Sequence, residues 1–501
     1  MSDPIFGLSI QRVDNEPRPA VGSDMSVVGL VGTAPNANAQ TYPLNTPVLI
    51  FSDDLAALSA LGATGTLPDA VQGVNDQLGE FQVAARIVIV RVDAGANEDE
   101  TITNIVGSSL NKTGIWALPE AGPILGIIPR LIACPSYTKQ QTSGLAALSL
   151  STQGSNMTVA PTIGFTGGGS DPGKVLPTAH AVMGTGDDDD KVVALVIDSP
   201  GKNLSGTITV TFTGGGSDVG KVLPTAVGTI EKLANPVVAA LPPVLAQLLG
   251  VAVCSGPATS LQAFVDWRET IQSDRIIPLE TAVKVGVNAT VNDAAPRVIG
   301  IGVRRDHEKG GRPFHSWANQ PVQGIVGPNR PVRFSLTDGS TEGQTILSHN
   351  GGVILRGEAG VETAIASGGF IYVGTDNCSE DPLWQFYNVM RGRDYIHLLF
   401  LKTLRFYLGR FNLTGQTIEA VINTMKLALR ELQADGDILG FTVGFTRDQN
   451  SPEQLRLGRF TVDFAAEEPP VLRYIGIRSK RYRPALDKLL DDLLAQVDLA
   501  A

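Results

Sequence analysis

The residues closest to a known chemical pattern lie in two copies of one glycine-rich segment. Phe165-Thr-Gly-Gly-Gly-Ser-Asp-Pro-Gly-Lys-Val-Leu-Pro-Thr-Ala recurs as Phe212-Thr-Gly-Gly-Gly-Ser-Asp-Val-Gly-Lys-Val-Leu-Pro-Thr-Ala. Each copy holds a Gly-x4-Gly-Lys run, Gly168 to Lys174 and Gly215 to Lys221, which is how a phosphate-cradling loop begins. The hydroxyl that would follow and hold magnesium is absent, because Val175 and Val222 occupy its place. Pro177 and Pro224 then block the helix whose N-terminus such a loop needs. A glycine-rich turn is the better reading. Asp187 to Asp190 carry oxygen ligands for calcium, but four consecutive acids point in different directions and read as a solvated loop. His307 and His315 are too far apart for a metal pair on one helix, and Gly310-Gly311 lies between them. There is no Gly-x-Ser-x-Gly elbow. Cys134, Cys254 and Cys378 form no zinc or redox spacing. Cys134 and Cys254 sit in apolar runs and are expected to be buried. Cys378 sits in a polar loop and is expected to be an exposed thiol, either inert or facing another subunit's thiol. No catalytic residue, cofactor or metal is therefore expected.

The other candidate chemistry is ionic. Asp381 and Pro382 read as the cap and first position of a helix running from Leu383 to Leu408. That helix is apolar almost all round, except that Arg391, Asp394, His397, Lys402 and Arg405 share one face. The stripe is either a solvated face or a face turned to a polar partner. A second helix starts near Thr414, keeps helical spacing through Leu432 and closes at Gly436. Ile438–Phe445, Leu457–Phe464 and Leu472–Tyr482 read as strands. The last is basic, with Arg473, Arg478, Lys480, Arg481 and Arg483.

Upstream elements must position this C-terminal stretch. Val27–Thr33, Ala84–Val92, Val251–Cys254 and Arg275–Val285 read as strands, separated by helices such as Leu241–Leu249 and Ser260–Ile271. That alternation predicts an α/β layer with a largely parallel sheet. Val298–Val303 reads as a further strand. The glycine-rich copies and their alternating flanks predict an inserted β module over residues 152–234. Phe6, Leu8 and Ile10 alternate on a Pro-flanked leash, and a lone strand needs a sheet edge.

The 501-residue chain can hold two or more cores. Its net charge of -11 argues against nucleic acid as the main partner. No apolar run is long enough to span a bilayer, and no signal-peptide pattern opens the chain, so the product is expected to begin in a cytoplasm.

Several runs carry a resemblance. They are Gly32-Thr-Ala-Pro, Pro43-Leu-Asn-Thr-Pro-Val-Leu-Ile, Cys378-Ser-Glu-Asp-Pro-Leu, Leu429-Arg-Glu-Leu-Gln-Ala-Asp-Gly-Asp-Ile and Pro469-Pro before the basic run. In order and spacing the chain resembles the contractile tail sheath proteins of myophages related to P2. The resemblance implies a multidomain α/β protein: a strand-exchange arm at 1–20, a subtilisin-like α/β outer and middle domain without protease activity at 21–151 and 235–375, and an α+β inner, tube-facing domain with a C-terminal arm at 376–501. The 152–234 module departs from that pattern. The resemblance also implies a helical homo-oligomer of stacked rings around a tail tube, meeting baseplate and tail terminator proteins in a virion assembled in the host cytoplasm. Direct nucleic-acid contact and membrane insertion are not implied. Phe6, Leu8 and Ile10 would be the intersubunit arm, and Arg391, Lys402 and Arg405 would face the tube. The alternatives are the sheath of a pyocin-like injection machine or an α/β hydrolase-like enzyme with a β-binding module.

Overall fold

The computed structural model describes residues 24–78 and 84–498. Phe6, Leu8 and Ile10 lie outside them. The chain forms two compact units, one running to Pro469 and one from Pro470.

In the first unit, strands β1 (Val28–Thr33), β2 (Pro47–Phe51), β3 (Arg86–Val92) and β4 (Leu131–Ala133) alternate with helices α1 (Leu55–Leu61), α2 (Leu67–Asp76), α3 (Glu98–Val106) and α4 (Ala121–Leu125). A β unit follows, with β5 (Ser143–Thr152), β6 (Pro161–Gly167), β7 (Thr178–Met183), β8 (Val192–Ser199), β9 (Ile208–Gly214) and β10 (Thr225–Lys232). The alternation then resumes with α5 (Pro236–Leu248), β11 (Val251–Ser255), α6 (Leu261–Glu269) and β12 (Ile276–Leu279). The result is a 6-stranded sheet in the order β12-β11-β4-β1-β3-β2, parallel except for β2. Every position of β1 is buried, the pattern of a strand covered on both faces.

Two smaller sheets flank it. They comprise β13 (Ala282–Val285), β14 (Thr290–Asp293) and β16 (Gly327–Pro328), and β15 (Gln320–Pro321), β17 (Val353–Arg356) and β18 (Phe370–Val373). Helices α7 (Ala295–Glu308) and α8 (Glu342–Ser348) lie in the same stretch. On one face of the large sheet Leu30, Ile87 and Ile89 pack with Val71 and Val74 of α2 and Ile299 of α7. On the other, Val31, Val90 and Ile132 pack with Ile105 of α3 and Leu241 of α5.

The expected strand Val298–Val303 is instead the middle of α7. Its β-branched residues favour a strand, but tertiary packing overrides that weak preference. Gly300 and Gly302 let the helix approach its neighbours: an added Cβ would lie 2.7 Å from Gln77 Cγ and 2.7 Å from the Trp317 ring, respectively. Arg297 donates to Asp69 at 2.9 and 3.1 Å, fixing the helix to α2.

The β unit is built as two interlocked halves. β5 pairs with β10, β7 with β8, and β6 with β9, so every full ladder except the short β6–β7 contact joins one half to the other. The glycine turns follow the same rule. Val175 exchanges two backbone hydrogen bonds with Lys202, both 3.0 Å, and Val222 exchanges two with Ser155, both 3.0 Å. Asn203 donates to Pro172 O and Gly173 O, and Asn156 donates to Gly220 O at 3.1 Å. The strands begin at Ser143, ahead of residue 152, where the module was expected to start.

The remainder of the first unit comprises α9 (Tyr387–Leu404), α10 (Gly415–Ala434), β19 (Gly440–Gly444), α11 (Pro452–Arg456) and β20 (Asp463–Glu467). α9 starts later than Leu383, because Asp381 caps a local turn by accepting from Leu383 N at 2.9 Å and Asn377 Nδ2 holds Trp384 O at 2.7 Å. α10 matches its expected limits: Thr414 Oγ1 accepts from Thr417 N, and Gly436 takes a φ of +80° beyond its end. β20 is displaced from the expected Leu457–Phe464 because Asn450 holds Thr461 at both backbone groups, 2.7 and 2.9 Å. The second unit has no strand over 472–482; that segment is followed by α12 (Pro484–Asp498).

Candidate interaction surfaces

The charged stripe of α9 divides into two parts. Arg391 is buried, and its guanidinium donates to both Asp306 oxygens at 2.5 and 3.1 Å. Its Cζ also lies 5.0 Å from the Trp317 ring centroid. Asp394, equally buried, takes a bidentate pair from Arg275 at 2.5 and 3.0 Å. Arg393, off the stripe, forms a third fork with buried Glu468 at 2.8 and 2.9 Å. Arg391 therefore faces no tube. Both side chains of the Arg391–Asp306 pair are almost without solvent contact, so the cation required an internal carboxylate.

Lys402 and Arg405 belong to the other part. Arg405 is exposed and Lys402 half-buried. The Lys402 ammonium is held below its ordinary pKa by burial first, then by Arg130 and Arg405. Arg130 itself is buried, its Nε has no hydrogen-bond partner, and burial lowers its pKa to about 10. His397 is likewise lowered, by burial, and stands edge-on to Phe464 at 5.9 Å. The helix then ends in a projecting apolar turn. Leu401 (61 %), Leu408 (78 %) and Phe411 (49 %) are exposed, and Arg410 lies 5.1 Å over Phe406. The charge periodicity did not mark this turn; the run Leu404-Arg-Phe-Tyr-Leu-Gly-Arg-Phe, aromatic and cationic beside a glycine, was the available signal.

Cys378 is fully buried, which corrects the expectation of an exposed thiol. Its N–H donates to Ile276 O and its carbonyl accepts from Ser273 N, so the loop extends the large sheet rather than leaving it. Burial lifts the Cys378 thiol to about 12, leaving it inert. Cys134 and Cys254 share the same apolar cluster as Cys378.

The glycine turns bind no phosphate in this geometry. Lys174 Nζ donates to Gly167 O and Gly169 O, and Lys221 Nζ donates to Gly214 O and Gly216 O at 2.8 and 2.7 Å. Carbonyls, not N–H groups, converge, and the lysine of each copy already occupies them. Among the described residues no group of acids, histidines and cysteines could hold a metal, and no helix is long and apolar enough to cross a membrane.

No family model matches the chain. The tail sheath protein of Escherichia phage P2 is 23% identical over 99% of this chain and 100% of its own length. The major tail sheath protein of Serratia phage KSP20 is 36% identical over 24% of this chain and 30% of its own length. Among solved structures, the sheath complex of the PVC extracellular contractile injection system, in its contracted state, superposes with a TM-score of 0.58 at 11% identity, over 97% of this chain and 99% of that one. The contracted helical sheath of the anti-feeding prophage gives 0.54 at 12% identity, over 96% and 100%. In sequence along almost its whole length, and in fold, the chain is a homologue of the contractile phage tail sheath proteins.

Proposed function

We propose that the chain is the structural subunit of a contractile tail sheath, polymerising around an inner tube and contracting to drive that tube through a host envelope. The observation that carries this is the end-to-end match to the P2 tail sheath protein. The relatives are structural proteins, and the ionic groups described above are occupied in packing, which supports a non-enzymatic role. The decisive experiment is electron microscopy of the purified chain. Long hollow cylinders are expected; compact particles with hydrolytic activity would overturn the reading.

Finer proposals follow from it. The two-stranded sheet β19–β20 has no further strand on either edge among the described residues. Such edges accept strands from other chains. Phe6, Leu8 and Ile10, and the alternating segment at Leu472–Tyr482, supply strands of the right kind to neighbouring copies. Deleting residues 1–19 is expected to leave a folded monomer that does not polymerise. The part of the chain from 376 onward lies innermost, the α/β part at 21–151 and 235–375 has a subtilisin-like arrangement, and the 152–234 module projects outward. Lys402 and Arg405, now without Arg391, face an anionic tube. Baseplate and terminator proteins are the end partners, in a virion assembled in the host cytoplasm.

A second reading, the sheath of a phage-derived injection machine, is favoured by the likeness to the anti-feeding prophage and PVC sheaths. The genes beside this one separate the two: capsid and packaging genes indicate a virion.

A further inference from the structure

We propose that the guanidinium of Arg130 binds a small oxyanion of the phosphate class at the N-terminal end of the large sheet. Arg130, Gly250 and Arg275 each stand immediately before a strand, β4, β11 and β12, and these are parallel neighbours in the order β12-β11-β4. Strands spaced about 4.8 Å apart bring the three residues to one end of the sheet, with Gly250 between the two arginines. The backbone fixes them there. Arg130 N donates to Val27 O, and Arg130 O accepts from Val251 N, both at 2.8 Å. A Cβ on Gly250 would lie 2.7 Å from Arg130 O, so glycine is what lets the two backbones come this close.

The two arginines differ in what answers their charge. Arg275 is saturated: it forks onto both Asp394 oxygens and also donates to Gly250 O at 3.2 Å. Arg130 is 8 % exposed and, among the described residues, its side chain makes no hydrogen bond or ion pair. Burial is the main reason its pKa falls; Asp394 pulls the other way, and Arg275 offsets that pull. Lys402, on which Arg130 acts, is a further cation. A buried guanidinium without a counter-charge is costly, and folded chains answer such groups with a partner, a water or an ion. A planar fork of N–H donors fits two oxygens of one phosphate better than it fits chloride. So small an opening suits a mobile anion of a few atoms over an acid fixed to another protein's surface. The site is complete within one chain and is independent of polymerisation.

The test titrates inorganic phosphate into the full chain by calorimetry, below the concentration at which it polymerises and with ionic strength held constant by chloride. Saturable binding of one phosphate per chain is expected. It should weaken about tenfold in Arg130→Lys, which keeps the charge and loses the fork, and vanish in Arg130→Met. Arg410→Gln, which removes a cation stacked over the Phe406 ring, is expected to bind as the unaltered chain does. Binding that survives Arg130→Met would overturn the proposal. Thermal melting supplies a second readout. Arg130→Met discards an unanswered charge, so it is expected to melt no lower than the unaltered chain in chloride, yet lower than it in saturating phosphate. Phosphate stabilises any folded chain by exclusion from its surface, so this reversal is the signal and the rise alone is not. A variant that melts lower in both salts would show that the fold already answers Arg130, and would overturn the proposal. Absence of phosphate binding to the unaltered chain would overturn it too; if Arg130→Met then also fails to polymerise, the anion is a carboxylate of another chain.

Discussion

The two ends of α9 carry similar charges and behave oppositely. Near its start, Arg391, Arg393 and Asp394 are each matched by a carboxylate or guanidinium from elsewhere in the fold, and Arg391 and Asp394 are almost without solvent contact. Near its end, Lys402, Arg405 and Arg410 lie in a run of sequence without an acid, with Leu401 and Leu408 exposed among them. Helical spacing cannot tell these ends apart, because it fixes which residues share a face and not what lies opposite. The difference teaches that the first half of α9 is a clamp within the subunit, whereas its last turns carry their cations and leucines towards the surface.

Removing the clamp is expected to have the largest effect. Arg391→Ala leaves Asp306 as a buried, uncompensated charge and should cost about 3–5 kcal/mol, read as a lower denaturant midpoint. A loss below ~1 kcal/mol would mean that water reaches the pair. Next, Gly302→Ala drives a methyl group into Trp317, on which Arg391 rests. Overpacking of this kind costs about 1–3 kcal/mol, and the near-ultraviolet tryptophan signal should change with it.

A third test asks whether every buried charge here is as well matched. Glu280 is buried and shares Arg330 with Glu342, yet one of its oxygens has no partner. Burial lifts its carboxyl to about 7, with Arg330 pulling the other way. A carboxyl raised above its ordinary 4.5 keeps its proton longer in the folded chain than in the unfolded one, so its contribution to stability falls as pH rises from about 4.5 to about 7 and is level above that. Glu280→Gln is expected to flatten this fall in melting temperature between pH 5 and 7.5; an unchanged slope assigns it to other groups.

The smallest effect on folding is expected at the far end of α9. Lys402→Glu with Arg405→Glu should move stability by no more than about 0.5 kcal/mol. Sheath of this variant should still polymerise alone but fail to assemble in extended form around the tube. Extended sheath at normal yield and salt tolerance would reduce these cations to a solvated face.

Features set by local chemistry were legible in the sequence. The start and end of α10 follow from Thr414 and Gly436, and the buried strands β1, β3 and β11 follow from their Val- and Ile-rich runs. What was misread depends on distant partners. The run Val298-Ile-Gly-Ile-Gly-Val looks like a strand until Gln77 and Trp317 are placed against its glycines. Cys378 looks exposed until its loop is laid beside Ile276. Arg391 looks like a surface cation because Asp306, its carboxylate, is far away in sequence. Pro296 at the start of α7 was the local signal that could have corrected the first of these.

The interlocked halves of the β unit impose an order in time. β5 waits for β10, and the turn at Val175 waits for Lys202, so neither the first strand nor the first glycine turn can close when it leaves the ribosome. At roughly 5–20 residues per second, the first half stays open for several seconds with its edges unpaired. Nascent chains stalled before Ser199 should be cut by protease within 143–183, whereas chains stalled well past Lys232 should resist. The repeat thus keeps this region open during synthesis and exposed to chaperones, or to the same region of a neighbouring nascent chain.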